Sequence, residues 1–270
     1  MKSSASLTTL ALIAGISLSA IGATQASNIV ISGGSADWNF FYDSGNDSFD
    51  VVLRNKGTTV ATGLDTPYAG APGGVGDGDD FTFSTLTVGP IGGTTTVVNG
   101  NTYIISSALQ GIDAPGNPDF GIRTRFRELD GGGNTVNQFN SFRMTLDWAN
   151  STFPAGAEMI LFRPDVDDDL IPFNDILFET ADNDLIHDWP AWGHTHWNWG
   201  FTEEGTYDLQ FDIQGYNIFE DEDTGIITET AITGVGTTNV SFVVIPEPST
   251  AGLALLAAGL AFAVRRRPLA

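Results

Sequence analysis

The feature that most constrains the fold is an alternation of apolar and polar side chains with a period of two residues. In SFRMTLDW, residues 141–148, every second residue from Phe142 to Trp148 is apolar, and TYDLQFDIQ at residues 206–214 repeats the pattern. Successive side chains of a strand point to opposite faces, whereas helices repeat every 3.6 residues. The alternation therefore predicts half-buried strands.

Short segments of this kind recur along residues 27–245, and glycine-rich stretches such as GAPGGVGDGDD separate them. Many short strands with such turns predict an all-β fold, and we expect an antiparallel β-sandwich or jelly roll in a single domain over residues 27–245. The chain has no cysteine. Disulfides and thiolate metal sites are therefore excluded, and burial must hold the fold together.

The charge balance excludes one class of partner. The 33 acidic and 11 basic residues give a formal net charge of −22, and such a protein repels phosphate backbones. Nucleic acid is excluded, and cations are the natural small partners. We expect no enzymatic activity, because nucleophile-elbow, phosphate-loop and dinucleotide motifs are absent from the sequence. A hydrolase stays open, since the two carboxylates of a glycosidase need not lie close in the chain.

The N-terminal segment is typical of a secretory signal peptide over residues 1–26. One lysine precedes an apolar stretch from about Leu7 to Ile21, and small residues follow, including Thr24 and Ala26. A signal peptidase requires small residues at these two positions. We predict that it cleaves after Ala26 and that the protein is exported.

The C-terminal segment, residues 246–270, combines three features in a fixed order. They are the motif Pro246, Glu247 and Pro248, an apolar run over residues 251–264, and the cluster Arg265, Arg266 and Arg267. As a helix the 14-residue run is about 21 Å long, against a hydrocarbon core of about 30 Å. A short transmembrane helix results if it begins near Ser249 and the arginines reach the cytoplasmic headgroups.

These three features resemble the PEP-CTERM sorting signal. The resemblance implies a Gram-negative bacterium, an exosortase-type sorting protease that recognises the motif, and transient anchoring in the inner membrane by the C-terminal helix. Tail removal and delivery to the cell surface or the exopolysaccharide matrix would follow. An ordinary single-span anchor is the alternative.

All three histidines, His187, His194 and His196, lie within ten residues, and four of the six tryptophans lie in the same region. If this stretch is a strand, His194 and His196 point one way while Trp197 and Trp199 point the other way. Large indole rings gain most from burial. We therefore predict that the tryptophans face the core and the two histidines lie side by side on the opposite face.

The segment TEEGT after this strand predicts a three-residue hairpin loop. In the resulting register Trp199 pairs with Leu209 and His196 pairs with Asp212. Two histidines and a carboxylate suit Zn²⁺ or another divalent transition metal. The candidate metal ligands are His194, His196, Asp212 and His187.

Two other interpretations of the histidine stretch stay open. In the first, the histidines are only hydrogen-bonded braces of a tryptophan-rich hairpin in a purely structural protein of the exopolysaccharide or biofilm matrix. Alternatively, Trp189 or Trp192 stacks on sugar rings in a carbohydrate-binding or hydrolase module.

The segment HTHWNWGFTEEGTYDLQF, residues 194–211, resembles the signature of bacterial surface proteins called choice-of-anchor M domains. The signature is His-x-His-x-Asn-Trp-x-Phe followed by Gly-x-Tyr, and the similarity spans roughly residues 140–215. The resemblance implies a β-rich module outside the cytoplasm, fixed to the envelope. It favours capture of a metal or another extracellular ligand over catalysis.

Two charged features are weaker candidates. The acidic segment PDVDDDLIPFND, with DGDD and EDEDTG elsewhere, offers oxygen ligands for calcium, although its spacing does not match a helix-loop-helix calcium site. Arg123, Arg125 and Arg127 share one face of a predicted strand. They could dock an anionic polysaccharide, or be a solvated or ion-paired sheet face.

Overall fold

A computed structural model describes most of the region between the two terminal segments. The described residues are 27–43, 48–68, 80–109, 111–125, 128–129, 135–136, 139–163, 175–181, 183, 185–190, 192–221 and 224–246. The predicted cleavage site at Ala26 and the sorting-signal residues Glu247, Pro248 and Arg265 to Arg267 lie outside them. In the described part of the chain, no helix is long and apolar enough to cross a bilayer.

The described residues form strands and connections, which confirms the predicted all-β class. In chain order the strands are β1 (Ser27–Gly33), β2 (Ser35–Asp43), β3 (Ser48–Asn55), β4 (Val60–Thr62), β5 (Asp80–Ile91), β6 (Thr95–Val98), β7 (Asn101–Ile105), β8 (Asp119–Arg125), β9 (Glu128–Leu129), β10 (Thr135–Val136), β11 (Ser141–Leu146), β12 (Met159–Arg163), β13 (Asp175–Glu179), β14 (Ile186–Pro190), β15 (Trp192–His196), β16 (Asn198–Phe201), β17 (Gly205–Glu220), β18 (Ile227–Ala231) and β19 (Gly236–Val244).

The largest sheet is mixed and nearly closed, like a barrel. Its main path runs β14-β11-β17-β19-β5-β3-β2-β8-β15, and β1, β4 and β18 pair alongside it. The edge strands β14 and β15 follow each other in the chain, and the Thr124 hydroxyl of β8 donates a hydrogen bond to the Pro190 carbonyl of β14 at 2.8 Å. This contact joins β14, at one end of the path, to β8, the strand next to the other end.

The prediction of an antiparallel sandwich or jelly roll is corrected by three parallel strand pairs. They are β1 with β5, β19 with β5, and β2 with β8. The sequence does not reveal this arrangement, because alternation reports which side of a strand is buried and says nothing about the direction of its partner.

A smaller antiparallel sheet, in the order β13-β12-β16-β7-β6, packs beside the large one. The chain passes into it at Trp197, between β15 and β16. The predicted hairpin is wrong, because β16 pairs with β12 and β7 while β17 pairs with β11 and β19. The turn carries the chain from one sheet to the other, and the Tyr207 hydroxyl braces it by donating to the Glu203 carbonyl at 2.8 Å.

The interior is unusually rich in aromatic rings. Trp38 of β2 packs against Phe40, Phe120 and Phe211, with ring centroids 5.0–5.9 Å apart. Trp197 and Trp199 are 9% and 0% exposed, which confirms that they face the core. Trp148 differs from the prediction: β11 ends at Leu146, and Trp148 is 48% exposed.

Candidate metal centre

The candidate site lies on the outer face of the large sheet, where β2, β8 and β15 run side by side. Asp37 of β2 is opposite Gly121 of β8, and Gly121 is opposite His196 of β15. Residues directly opposite each other project from the same face. Asp37 and His196 therefore approach each other across Gly121.

Gly121 is required for this approach. A Cβ atom at position 121 would lie 2.7–2.8 Å from three atoms of the His196 ring. Such distances are far inside van der Waals contact, so any side chain here would displace the imidazole. The missing side chain lets the His196 ring lie over β8 and reach Asp37.

Three potential ligand atoms converge at this point. The Nε2 atoms of His194 and His196 are 3.0 Å apart, and Asp37 Oδ1 is 3.1 Å from the first and 3.0 Å from the second. The predicted placement of both histidines on one face is confirmed. Zinc binds nitrogen and carboxylate oxygen at about 2.0–2.2 Å, and ligands on one ion are then about 3 Å or slightly more apart. The spacing of the three atoms fits a single ion.

A fourth polar group closes the cluster. The Lys56 ammonium nitrogen Nζ lies 2.5 Å from Asp37 Oδ1, 2.6 Å from His196 Nε2 and 3.0 Å from His194 Nε2. In this arrangement a lysine cation contacts every atom that would bind a metal ion. It compensates the charge of the Asp37 carboxylate, whose residue is fully buried.

Asp119 orients His196 from the side away from the cluster. The Nδ1 atom of His196 lies 2.6 Å from Asp119 Oδ1. In the neutral ring with its proton on Nδ1, donated to this carboxylate, Nε2 accepts from the Lys56 ammonium group. In the protonated ring, Nε2 donates to Asp37. Metal-binding histidines commonly have such a carboxylate behind them, which fixes the tautomer and raises the basicity of the ligand.

The electrostatics favour charged groups despite the burial. Burial would raise the pKa of Asp37, but hydrogen bonds with His194, His196 and Lys56 hold that pKa below its ordinary value. Burial opposes the charge on His196, yet its hydrogen bonds with Asp119 and Asp37 raise its pKa above the ordinary 6.5. The charge of Lys56 opposes a charge on His196, so the raised pKa of this histidine is due to the two carboxylates.

The other two candidate ligands lie elsewhere. Asp212 stands on β17 opposite Thr145 and Thr237, so the predicted His196–Asp212 pair is wrong. Burial and the charge of Asp147 raise the pKa of Asp212. β15 pairs with β8, whereas β17 pairs with β11 and β19. The turn residues alone do not indicate which strands pair.

His187 is also outside the cluster. Its ring packs edge-on against Trp189, with centroids 4.6 Å apart, and near the rings of Trp197 and Phe178. Among the described residues, the group able to hold a metal consists of Asp37, His194 and His196.

Sequence reasoning missed Asp37, Lys56 and Asp119. The sequence contains one indication of Asp37. In SADWNFFYD, Asp37 and Asn39 alternate with Trp38 and Phe40. The alternation predicts a polar face on an otherwise aromatic strand, but it does not say which residues cover that face.

A cavity of about 260 Å³ lies beside β15, and its lining includes His194 of the candidate centre. It is lined by Ile122, Thr124, Thr195, Trp189 and Trp197, with other neighbours, and the described lining residues include no carboxylate. Trp189 is 4% exposed and belongs to the core, which disfavours sugar stacking on it. The Trp192 side chain lies outside the described part of the structure.

The weaker charged candidates fall largely outside the described residues. Residues 164–174 and Arg127 are not among them, and neither is the side chain of Arg125. Asp80, from the DGDD cluster, is buried and accepts a hydrogen bond from Asn39 at 2.8 Å. The Asp80 carboxylate therefore makes a buried contact with a neighbouring side chain.

Comparison with known proteins identifies the C-terminal segment. Residues 244–267 match the family model of the PEP-CTERM protein-sorting motif, which confirms the predicted sorting signal. The motif implies an exported, surface-sorted protein of a Gram-negative bacterium that an exosortase processes. No curated protein and no solved structure matches the chain. The resemblance of the body to choice-of-anchor M domains stays a prediction.

Proposed function

We propose that this exported protein binds one divalent transition-metal ion through Asp37, His194 and His196. The observation that supports the proposal is the convergence of one carboxylate oxygen and two imidazole nitrogens, all 3.0–3.1 Å apart. These residues come from distant parts of the chain, and Gly121 makes room for their approach. The choice-of-anchor M resemblance favours the same function.

The donor set favours a transition metal over calcium. Calcium takes six to eight oxygen ligands, whereas imidazole suits zinc, copper, iron and nickel. Two histidines and one carboxylate also leave a coordination position for water or an external donor. The His194 side chain is 43% exposed, so an ion can enter from that side. We infer reversible capture of an ion, without catalysis, as the function of the site.

Metal analysis of histidine variants tests the proposal. The full-length protein, purified in detergent and loaded with Zn²⁺, is expected to retain one ion per chain after dialysis. His196→Ala should weaken the affinity, measured by titration calorimetry, by about 100-fold or more, because a ligand and not only its support is removed. His194→Ala should have a similar effect.

Two matched controls make the test specific. His187→Ala removes the remaining histidine, and Asp212→Asn removes the carboxylate that the hairpin register had predicted. Both variants should bind Zn²⁺ like the unchanged protein. If the unchanged protein binds no transition metal and its melting temperature does not respond to Zn²⁺, the metal proposal fails. The cluster would then act only as a structural brace of a matrix protein.

We further propose that the body, residues 27–245, is a single domain, transiently anchored by the C-terminal helix and released to the surface or matrix after tail removal. Mass spectrometry of the mature protein should show a chain that begins after Ala26 and lacks the C-terminal arginine cluster. Replacing Glu247 with alanine should retain the chain in the inner membrane. Detection of the uncut tail on surface-delivered protein would contradict removal.

A further inference from the structure

Lys56 is held at the metal-binding cluster by its own backbone. It follows the last residue of β3, and its amide donates to the Thr59 hydroxyl at 2.9 Å. The same hydroxyl donates to the carbonyl of Ser35, two residues before Asp37 on β2. The turn after β3 is therefore fastened to the strand that carries the carboxylate ligand, and the lysine side chain is directed at the cluster.

The ammonium group and a metal ion cannot occupy the cluster together. An ion about 2.1 Å from each of the three ligand atoms lies about 1 Å from their plane. From its contacts of 2.5–3.0 Å, Lys56 Nζ lies about 2 Å from that plane. On the same side the two centres would be about 1 Å apart. On opposite sides two cations would be only about 3 Å apart, which is costly in a partly buried site.

We propose that Lys56 is a tethered cation that occupies the centre in the metal-free protein and withdraws when a metal ion binds. This inference rests on the proposed function and specifies its regulation. The lysine keeps the buried Asp37 carboxylate compensated when no ion is present. It also lowers the apparent metal affinity, because only the fraction of molecules with the lysine withdrawn can bind an ion.

The sequence provides a clean readout for this exchange. Lys56 is the only lysine between residues 27 and 270, and Lys2 is the only other lysine of the sequence. Amine-specific acetylation therefore modifies at most these two side chains and the N-terminal amine, which peptide mass spectrometry separates. The Lys56 side chain is 23% exposed and contacts three polar atoms. We expect slow acetylation in the metal-free protein.

The experiment measures the acetylation rate of Lys56 at fixed pH with and without Zn²⁺, using calorimetry on the same sample. Saturation with Zn²⁺ should raise the rate about tenfold, while the rate of the N-terminal amine stays constant. A Lys56 rate that is unchanged or lower, when calorimetry shows that the ion is bound, overturns the exchange. Such a result leaves the proposed metal binding intact.

Lys56→Met tests the same exchange without labelling, because methionine keeps an unbranched stem and lacks the ammonium group. The variant should bind Zn²⁺ about tenfold more tightly, and its metal-free form should melt at a lower temperature. Arg143→Met is the charge-matched control. It removes a cation paired with Asp188 and Glu229, and its Zn²⁺ affinity should stay unchanged.

The results separate the two proposals. Equal or weaker Zn²⁺ binding by Lys56→Met overturns the inhibitory role of the lysine. Binding by Lys56→Met but not by the unchanged protein supports occupation of the centre by Lys56. If neither protein binds Zn²⁺, the metal centre and the exchange fail together.

Discussion

The two faces of β2 are equally buried but are stabilised in different ways. Trp38 and Phe40 point into the barrel among other aromatic rings, whereas Asp37 and Asn39 point outward, and all four residues are 0% exposed. A buried aromatic ring gains free energy from almost any apolar neighbour. A buried carboxylate gains only if specific partners are placed within hydrogen-bonding distance.

The same division continues on the strands that complete the site. His194 and His196 meet Asp37 and Lys56 on the outer face, while Trp197 and Trp199 join the core. The inner face therefore supplies the aromatic core of the barrel, and the outer face carries the proposed metal centre. Substitutions on the two faces should separate the stability of the fold from metal binding.

The largest effect is expected on the inner face. Trp38→Ala should lower the free energy of unfolding by about 3–5 kcal/mol, because it leaves a cavity among three aromatic rings. Denaturant unfolding measures this change. Trp148→Ala is the matched control: Trp148 is about half exposed, and the loss there should stay below about 1 kcal/mol. Equal losses in the two variants would contradict the assignment of Trp38 to the core.

An intermediate effect is expected at Gly121, where a substitution should change both the stability of the fold and the affinity for Zn²⁺. Gly121→Ala should displace the His196 ring, weaken Zn²⁺ binding at least about tenfold, and cost about 1–3 kcal/mol of stability. Gly33→Ala is the control, because a Cβ at position 33 would make only ordinary van der Waals contacts, at 3.8 Å from the Val60 side chain. Undiminished Zn²⁺ affinity in Gly121→Ala would show that the close approach across β8 is not needed.

The smallest effect concerns the pH dependence of the metal-free protein. The pKa of His196 is raised in the fold, so its charge contributes stability fully below pH 6.5, and this contribution is lost as the pH rises through the folded-state value. Asp119→Asn should reduce that loss, because it removes the acceptor charge behind the ring.

Thermal unfolding measures this loss of stability as the pH rises. The experiment is done in the presence of a chelator between about pH 6 and pH 9, a range that includes the ordinary histidine titration. A pH profile that is the same in Asp119→Asn and the unchanged protein would count against the role of Asp119.

Local patterns predicted much of the fold and half of the site. The period of two residues identified strands, including the stretch with His194 and His196, and large indole rings on the other side identified the core. The predicted hairpin and the predicted pairing of His196 with Asp212 were wrong for one reason. The turn at residues 203–205 fits a tight hairpin and a passage between sheets equally well, and only the partner strands distinguish the two.

The sequence by itself determined the sorting signal, the strand-rich body and the placement of two histidines on one strand face, because these depend on residues that are neighbours in the chain. Only the tertiary structure decided that Asp37 and Lys56, 157 and 138 residues before His194, complete the centre. The parallel pairing of β2 with β8, which itself pairs with β15, brings Asp37 to the histidines. The pairing of β3 with β2 brings Lys56 to Asp37. Such pairing depends on how the whole sheet closes, and the alternation of side chains within one strand does not predict it.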